Sequence, residues 1–417
     1  MTIHRALSKV RVMNRSLWPL FRSPVWIFLV FAALGCSRGR ISSVARMDLF
    51  SLEIGPLEDQ VNLFNLTGGE SSGRTNLAMR DGLFYISDTS GGKIVRYNSY
   101  GDLLFVIYNE DINPPPITLR RSIDEEGIGT RWSIPYPLRE PGAITVDSRK
   151  HIYAAGKAER DRASSDTETG SILDNLVYHF DDSGRFINVL GQEGNGGRPF
   201  PLIMGIYASR GDEIAVVCLL SSGWNIYWFS AEGTLLYLVH LRNGSIPLPP
   251  DREIRYASVE AVAAAPDERR LFFKVDYYRA AAAENGDAAA APDSSLIWIM
   301  NVENGAYEES IQVPFFEYTA VENDKKITQR LPYAMLGVVR NSRVFLYFPV
   351  DGGYSLLVLT AGSREQRMGF IQVRNDELEY NTFNLSAEGI LSGLVATEWE
   401  ARLVWWRTDR LLGEMNL

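Results

Sequence analysis

The sequence predicts an all-β fold, a β-propeller of four-stranded antiparallel blades. Three observations predict it. The composition combines 11% aromatic residues with 35 glycines over 417 positions, and long amphipathic helical periods are scarce. Apolar, β-branched and aromatic runs of strand length end in clusters of Gly, Asp, Asn and Ser, which are strand and turn signals. The order strand, tight polar turn, strand, variable loop, strand, Gly-containing turn, strand then recurs in units of about 45 to 70 residues, the pattern of a radial array of small sheets.

The first 36 residues stand apart. His4, Arg5, Lys9, Arg11, Arg15 and Arg22 make a basic, acid-free start, followed by VWIFLVFAALG from Val25 to Gly35 and then Cys36. An apolar run of this length falls short of the roughly 20 residues of a membrane helix and suits the apolar region of an export signal. The junction Ala33-Leu34-Gly35-Cys36 resembles the lipobox of bacterial lipoproteins, in the relaxed form of spirochaetes. This resemblance implies cleavage after residue 35, diacylation of Cys36 and a lipidated tether over 36–46. The mature chain is then expected in the cell envelope, anchored to membrane lipid and facing the periplasm or the cell surface. Acyl chains contribute about 0.8 kcal/mol per buried methylene, so two or three hold a protein on a bilayer.

Residues 47–417 read as a single domain. The first unit is GLFYISDTSGGKIVRYNSYGDLLFVI, from Gly82 to Ile107. The second pairs GAITVDSRKHIYAAG with NLVYHFDDSGRFINVL, and the third pairs LIMGIYASRGDEIAVVCLL with WNIYWFSAEGTLLYLVHL. VEAVAAAPDERRLFFKV and YAMLGVVRNSRVFLYFPV open the fourth and fifth, while FNLSAEGILSGLVATEW and RLVWWRTDR form a sixth at the C-terminus. This last unit has weak evidence for its own outer strand, and FSLEIG (Phe50 to Gly55) is a strand without a unit. Ring closure by the N-terminal strand follows, with six blades expected and seven as the alternative.

Pro141-Gly142-Ala143-Ile144-Thr145-Val146-Asp147 with His151-Ile152-Tyr153-Ala154-Ala155 resembles the core of the NHL repeat. Ile86-Ser87-Asp88-Thr89 with Lys93-Ile94-Val95-Arg96-Tyr97 does so too. With the lipobox, the chain is similar to NHL-like propeller lipoproteins of spirochaetes, a resemblance that implies a fold and an address but no activity.

The loops sort by parity. Turns between the first and second strands, and between the third and fourth, are short. The other connections hold every insertion: Asn113 to Glu140, KAERDRASSDTETGSILD, YYRAAAAENGDAAAAPD and FFEYTAVENDKKITQR. One face of the ring is plain and the other elaborated, so recognition of a protein, peptide or glycan is expected on the elaborated face. RASSDTETGS and AAAAENGDAAAAPD read as disordered insertions.

A net charge of −9 with pI near 5.2 excludes a general nucleic-acid footprint. The sequence has no HExxH, P-loop or CxxC, and no GxSxG in a strand-turn-helix context. No catalytic residue, metal site or cofactor is assigned. A binding or scaffold module is favoured, and a propeller hydrolase or lyase acting at the channel mouth is the alternative. His151, His179 and His240 come from the second and third units at different strand depths and predict no metal centre. Asp88, Asp147 and Asp276 each read as strand-closing residues that hydrogen bond a turn. Cys218 reads as a buried apolar residue. Five arginines stand just before innermost strands: Arg74, Arg139, Arg198, Arg255 and Arg330. If they converge, they form a positive funnel for a carboxylate or phosphate, capped by acids such as Glu140 and Glu260.

Overall fold

Apolar runs of five to eight residues can be buried on both faces only when a sheet is stacked between two others. The computed structural model, which describes residues 42–64, 73–121, 131–167, 169–249, 256–282, 288–322 and 325–413, shows this arrangement. The middle strands Leu83–Asp88 and Lys93–Asn98 are buried almost end to end, whereas the outer strand Leu235–Arg242 alternates between covered and exposed positions. A neighbouring sheet covers each face of a middle strand, while an outer strand meets solvent on one side.

The chain is an all-β propeller of antiparallel sheets. From the axis outward, the first sheet runs Asn76–Arg80, Leu83–Asp88, Lys93–Asn98 and Leu103–Tyr108. The second runs Ile144–Val146, Ile152–Lys157, Asn175–Phe180 and Phe186–Gly191. The third runs Leu202–Ala208, Ile214–Leu220, Gly223–Phe229 and Leu235–Arg242. The fourth has Tyr256–Ala264, Arg270–Ala282, Ala288–Asn301 and Tyr307–Val313, and the fifth Ala334–Val339, Arg343–Val350, Gly353–Thr360 and Gln366–Gln372.

These five are meanders in chain order, which corrects the expectation of six or seven such units. One further four-stranded sheet is composite. Its strands Tyr380–Leu385, Leu391–Ala396 and Glu400–Trp406 come from the C-terminus, and its outer strand is Arg46–Glu53, antiparallel to Glu400–Trp406. Just before it, Ser42–Val44 lies parallel to Gln366–Gln372 of the fifth sheet, so the N-terminal segment straps two adjacent outer edges.

Apolar clusters fill the spaces between successive sheets. Phe273, Val275 and Tyr277 pack on Ile226 and Trp228 between the fourth and third. Phe84 and Val95 of the first sheet pack on Leu394 and Leu403 of the composite one. Each fully buried Phe, Leu or Val contributes about 1.5–3 kcal/mol.

The turns sort as the sequence predicts. First-to-second and third-to-fourth turns are short, such as 81–82 and 99–102. Asp81 and Gly82 both have positive φ (51° and 73°), as a two-residue hairpin turn in a right-twisted sheet requires. The insertions are more ordered than expected. The Ala-rich insertion extends a long hairpin between Arg270–Ala282 and Ala288–Asn301, and Ser164–Ser165 pairs with Ile172–Leu173. Continuing the ladder of an existing pair satisfies backbone groups without needing apolar side chains, so low hydrophobicity there does not mean disorder.

Candidate functional site at the channel mouth

The innermost strands of all these sheets surround an axial cavity of 240 Å³. Small residues, among them Ala78, Ala143, Gly205, Ala264 and Gly337, let the strands approach, while Asn76, Arg80, Thr145 and Asn384 make the wall polar.

The wall is asymmetric. In the first, second and composite sheets the innermost strand pairs with its neighbour in unbroken register. In the third, fourth and fifth, one extra residue is inserted: Met204 between Ile203 and Gly205, Glu260 between Val259 and Ala261, Leu336 between Met335 and Gly337. A bulge of this kind re-aims one side chain. Three neighbouring innermost strands therefore present Met204, Glu260 and Leu336 in succession, and Met204 and Leu336 line the cavity.

Glu260 is tied across to the fifth sheet, where the Met335 N–H donates to its Oε2 at 3.1 Å. Behind it lies Lys274, wholly buried, whose Nζ is 4.0 Å from Glu260 Oε2 and 2.6 Å from Asp276 Oδ2. Burial pushes the Glu260 carboxyl above its ordinary range; Lys274 and the Met335 N–H oppose this and the Asp276 charge adds to it. Asp276 stands opposite Ser295 in the ladder, and Asp276 Oδ1 and Ser295 Oγ are buried with no hydrogen-bond partner among the described residues.

Asp276 thus departs from the expectation of a strand-closing turn residue. It sits within Arg270–Ala282 and its partner is an ammonium group. Asp88 and Asp147 do act on turns: Asp88 accepts from the Gly91 and Asn62 N–H groups, Asp147 from those of Arg149 and His151. Glu260 was expected to cap arginines; its neighbouring cation is Lys274.

The arginines have separate local partners. Arg74 donates to the Asn381 carbonyl at 2.7 Å and lies over the Tyr380 ring. Arg139 donates to the Ala158 carbonyl, Arg198 pairs with Glu193 at 2.7 Å, and Arg330 lies over the Phe315 ring near Glu317. None of these four lines the axial cavity. Arg255 and Cys36 lie outside the described residues.

The second sheet brings two histidines together, although the sequence placed the three at different depths. His151 Nδ1 is 3.0 Å from His179 Nε2, and the His179 ring stacks on Tyr153. Burial, then the His151 charge, lowers the His179 imidazole to about 4. Asp147 Oδ2 is 4.0 Å from His151 Nδ1, but the Arg149 guanidinium already occupies that carboxylate. No group of three His, Cys, Asp or Glu among the described residues is arranged to hold a metal ion. His240 is apart, on the outer strand of the third sheet, bonded to Asn225. Cys218 is buried and its thiol is pushed up by burial, so it packs as an apolar side chain.

The fold is a β-propeller. No family model matches the chain, and no curated protein matches it. Among solved structures it is similar to a protein of unknown function from Dyadobacter fermentans, with 11% identity over 87% of this chain and 99% of that chain and a TM-score of 0.39. It is also similar to the WD40 domain of Toxoplasma gondii coronin, with 9% identity over 88% and 87% of the two chains and a TM-score of 0.40.

Proposed function

We propose that this chain is an envelope lipoprotein of NHL-like type, anchored through acylated Cys36, whose propeller binds a protein, peptide or glycan on its elaborated face. The N-terminal segment then closes the ring by completing the composite sheet. The observation that supports this reading is the sorting of loops: the added hairpins among the described residues, Ser164–Ser165 with Ile172–Leu173 and Phe316–Glu322 with Lys325–Leu331, both join strand ends of one parity. A rigid ring holds the bases of such loops fixed while their tips vary, which is how scaffolds present recognition surfaces.

The anchor fits the same arrangement. Ser42 begins the first described strand only six positions after Cys36, so a lipidated chain would hold its ring within about 20 Å of the bilayer, at roughly 3.5 Å per residue. Two measurements test the proposal. Cys36→Ala should abolish palmitate labelling and release the chain from the membrane fraction; unchanged labelling rejects the lipoprotein. Capture from native envelope should fail when Phe316–Leu331 is shortened to a tight turn, and capture that is indifferent to this change rejects the elaborated face.

A further inference from the structure

A groove on the elaborated face narrows the kind of partner, a reading that rests on recognition at that face. We propose that the groove between the second and third sheets takes an aliphatic side chain of an extended peptide, whose main-chain amide is met by Lys157 and Asp174. Its construction, its lining and its charge point to this chemistry.

The groove has a volume of 440 Å³, inside the range of about 300–1,000 Å³ usual for ligand sites. Ile172, from the hairpin inserted between the middle strands of the second sheet, lines it together with Leu202, which opens the third sheet, and with Leu219 and Leu220, which end that sheet's second strand. Hydrogen bonds tie the hairpin region to the third sheet and the chain leading into it. Ser221 Oγ donates to the Thr169 carbonyl at 3.1 Å, and Arg162 Nη2 donates to the Gly197 carbonyl at 2.9 Å. Asn175 and Phe200 exchange main-chain bonds, and Asn175 Nδ2 donates to the Pro201 carbonyl at 3.1 Å. The groove is thus formed before a partner arrives, which lowers the ordering cost of binding.

The lining is aliphatic. Ile172 and Leu202 both line the groove yet stay 66% and 53% exposed, so an apolar group seated there removes both from water. No aromatic residue lines it to give a sugar ring a stacking platform, and this favours a peptide over a glycan.

Charge decides the rest. Lys157 and Asp174 line the same groove and pair with each other at 2.8 Å, each about a quarter exposed. Together they are neutral, so the groove favours neither a cation nor an anion. Among the described residues Asp174 is the only partner of Lys157 Nζ, which leaves further N–H donors on that ammonium. Asp174 likewise keeps acceptor lone pairs beyond those that Lys157 and Asn175 Nδ2 use. An uncharged peptide group, with one carbonyl and one N–H, complements a donor standing beside an acceptor.

Methyl NMR of the full chain tests this, following the Ile172 and Leu202 signals during titration. N-acetyl-leucine methylamide should shift both signals saturably and bind at least about 10-fold more tightly than N-acetyl-alanine methylamide, because the larger side chain buries more methylenes. N-acetyl-leucine and leucine methylamide, which carry a carboxylate and an ammonium, should bind more weakly than the capped form. Leu202→Asp and Ile172→Ser, both at exposed positions, should each abolish binding and leave the fold intact. Lys157→Met leaves Asp174 without its cation and should turn the preference toward leucine methylamide, a reversal that lost packing would not produce. Equal binding of the leucine and alanine derivatives, stronger binding of methyl glucoside or of either charged form, or full binding by Leu202→Asp overturns the site. Concentration-dependent dimerisation that Leu202→Asp abolishes also overturns it, since the occupant is then a second copy of this chain. Envelope capture that is lost on shortening Phe316–Leu331 but kept by Leu202→Asp refutes the groove alone, whereas absence of any capture by the wild-type chain refutes the reading beneath it.

Discussion

Arg46 and Glu377, 331 positions apart in the chain, form a two-bond ion pair in which Arg46 Nη1 and Nη2 donate to Glu377 Oε2 and Oε1 at 2.5 and 2.7 Å. Arg46 opens the outer strand of the composite sheet and Glu377 precedes its innermost strand, so the pair ties the chain entering that sheet to its outer edge. Arg374 and Arg402 also approach Glu377, at 3.1 and 3.6 Å.

Removing the clasp should destabilise the ring. Arg46→Ala leaves a buried carboxylate with its two poorer partners, which places the cost near the low end of the buried-pair range, about 3 kcal/mol in urea unfolding. Burial alone would raise the Glu377 carboxyl, but Arg46, the Arg374 N–H and the Arg374 charge outweigh it and hold the group below its ordinary 4.5. A depressed carboxylate contributes stability above its unfolded value and loses it as pH falls through the folded one. The wild-type chain should therefore lose stability below pH 4.5, and Glu377→Gln should flatten that part of the profile.

The strap should matter more than any single pair. Deleting 42–53 exposes the outer edges of the fifth and composite sheets and removes Val44 and Leu52 from their clusters. Thermal unfolding should drop by well over 10 °C and lose cooperativity, since open apolar edges also invite association. An unchanged melting temperature would show that the ring closes without this segment.

The buried ammonium behind Glu260 gives a sharper test of energetics. Lys274→Met should cost about 3–5 kcal/mol, because Asp276 is left buried without its cation. Lys274→Met combined with Asp276→Leu should recover most of that loss, since an apolar pair of similar volume replaces an ion pair at little cost. Equal destabilisation by the single and double variants would mean that packing, not charge, sets the effect.

The histidine pair predicts a separate pH dependence. His179 falls from 6.5 to about 4 on folding, so the unfolded chain takes up a proton that the folded chain refuses. Stability should be full above pH 6.5 and decline as pH falls toward 4, by an amount on the order of 3 kcal/mol at most. His179→Gln should remove this slope, measured by urea unfolding at a series of pH values.

Much of this architecture is legible in the sequence because it is local. Strands such as Leu83–Asp88 announce themselves by composition, and turns such as Ser99-Tyr100-Gly101-Asp102 by a glycine that takes φ of 87°. The parity of loop lengths is equally a property of order along the chain. The Ala-rich insertion was misleading for a physical reason: its strands are held by backbone pairing to each other, which composition does not record.

The mouth of the channel was not legible. Met204, Glu260 and Leu336 share no motif, and each is set apart only by a bulge that appears when its strand pairs with the next. The meeting of His151 with His179, and of Arg46 with Glu377, likewise depends on register and on which edges touch.

The strand-and-turn grammar and the apolar middle strands are written in the sequence, because local conformation and burial preference are set residue by residue. Tertiary structure alone decided that Arg46–Glu53 completes a sheet begun at Tyr380, which charges are buried together, and which residues the bulges turn toward the axis. The closing strand joins positions hundreds of residues apart, and the energies of all these contacts exist only once the ring has closed and water has left the groups between its sheets.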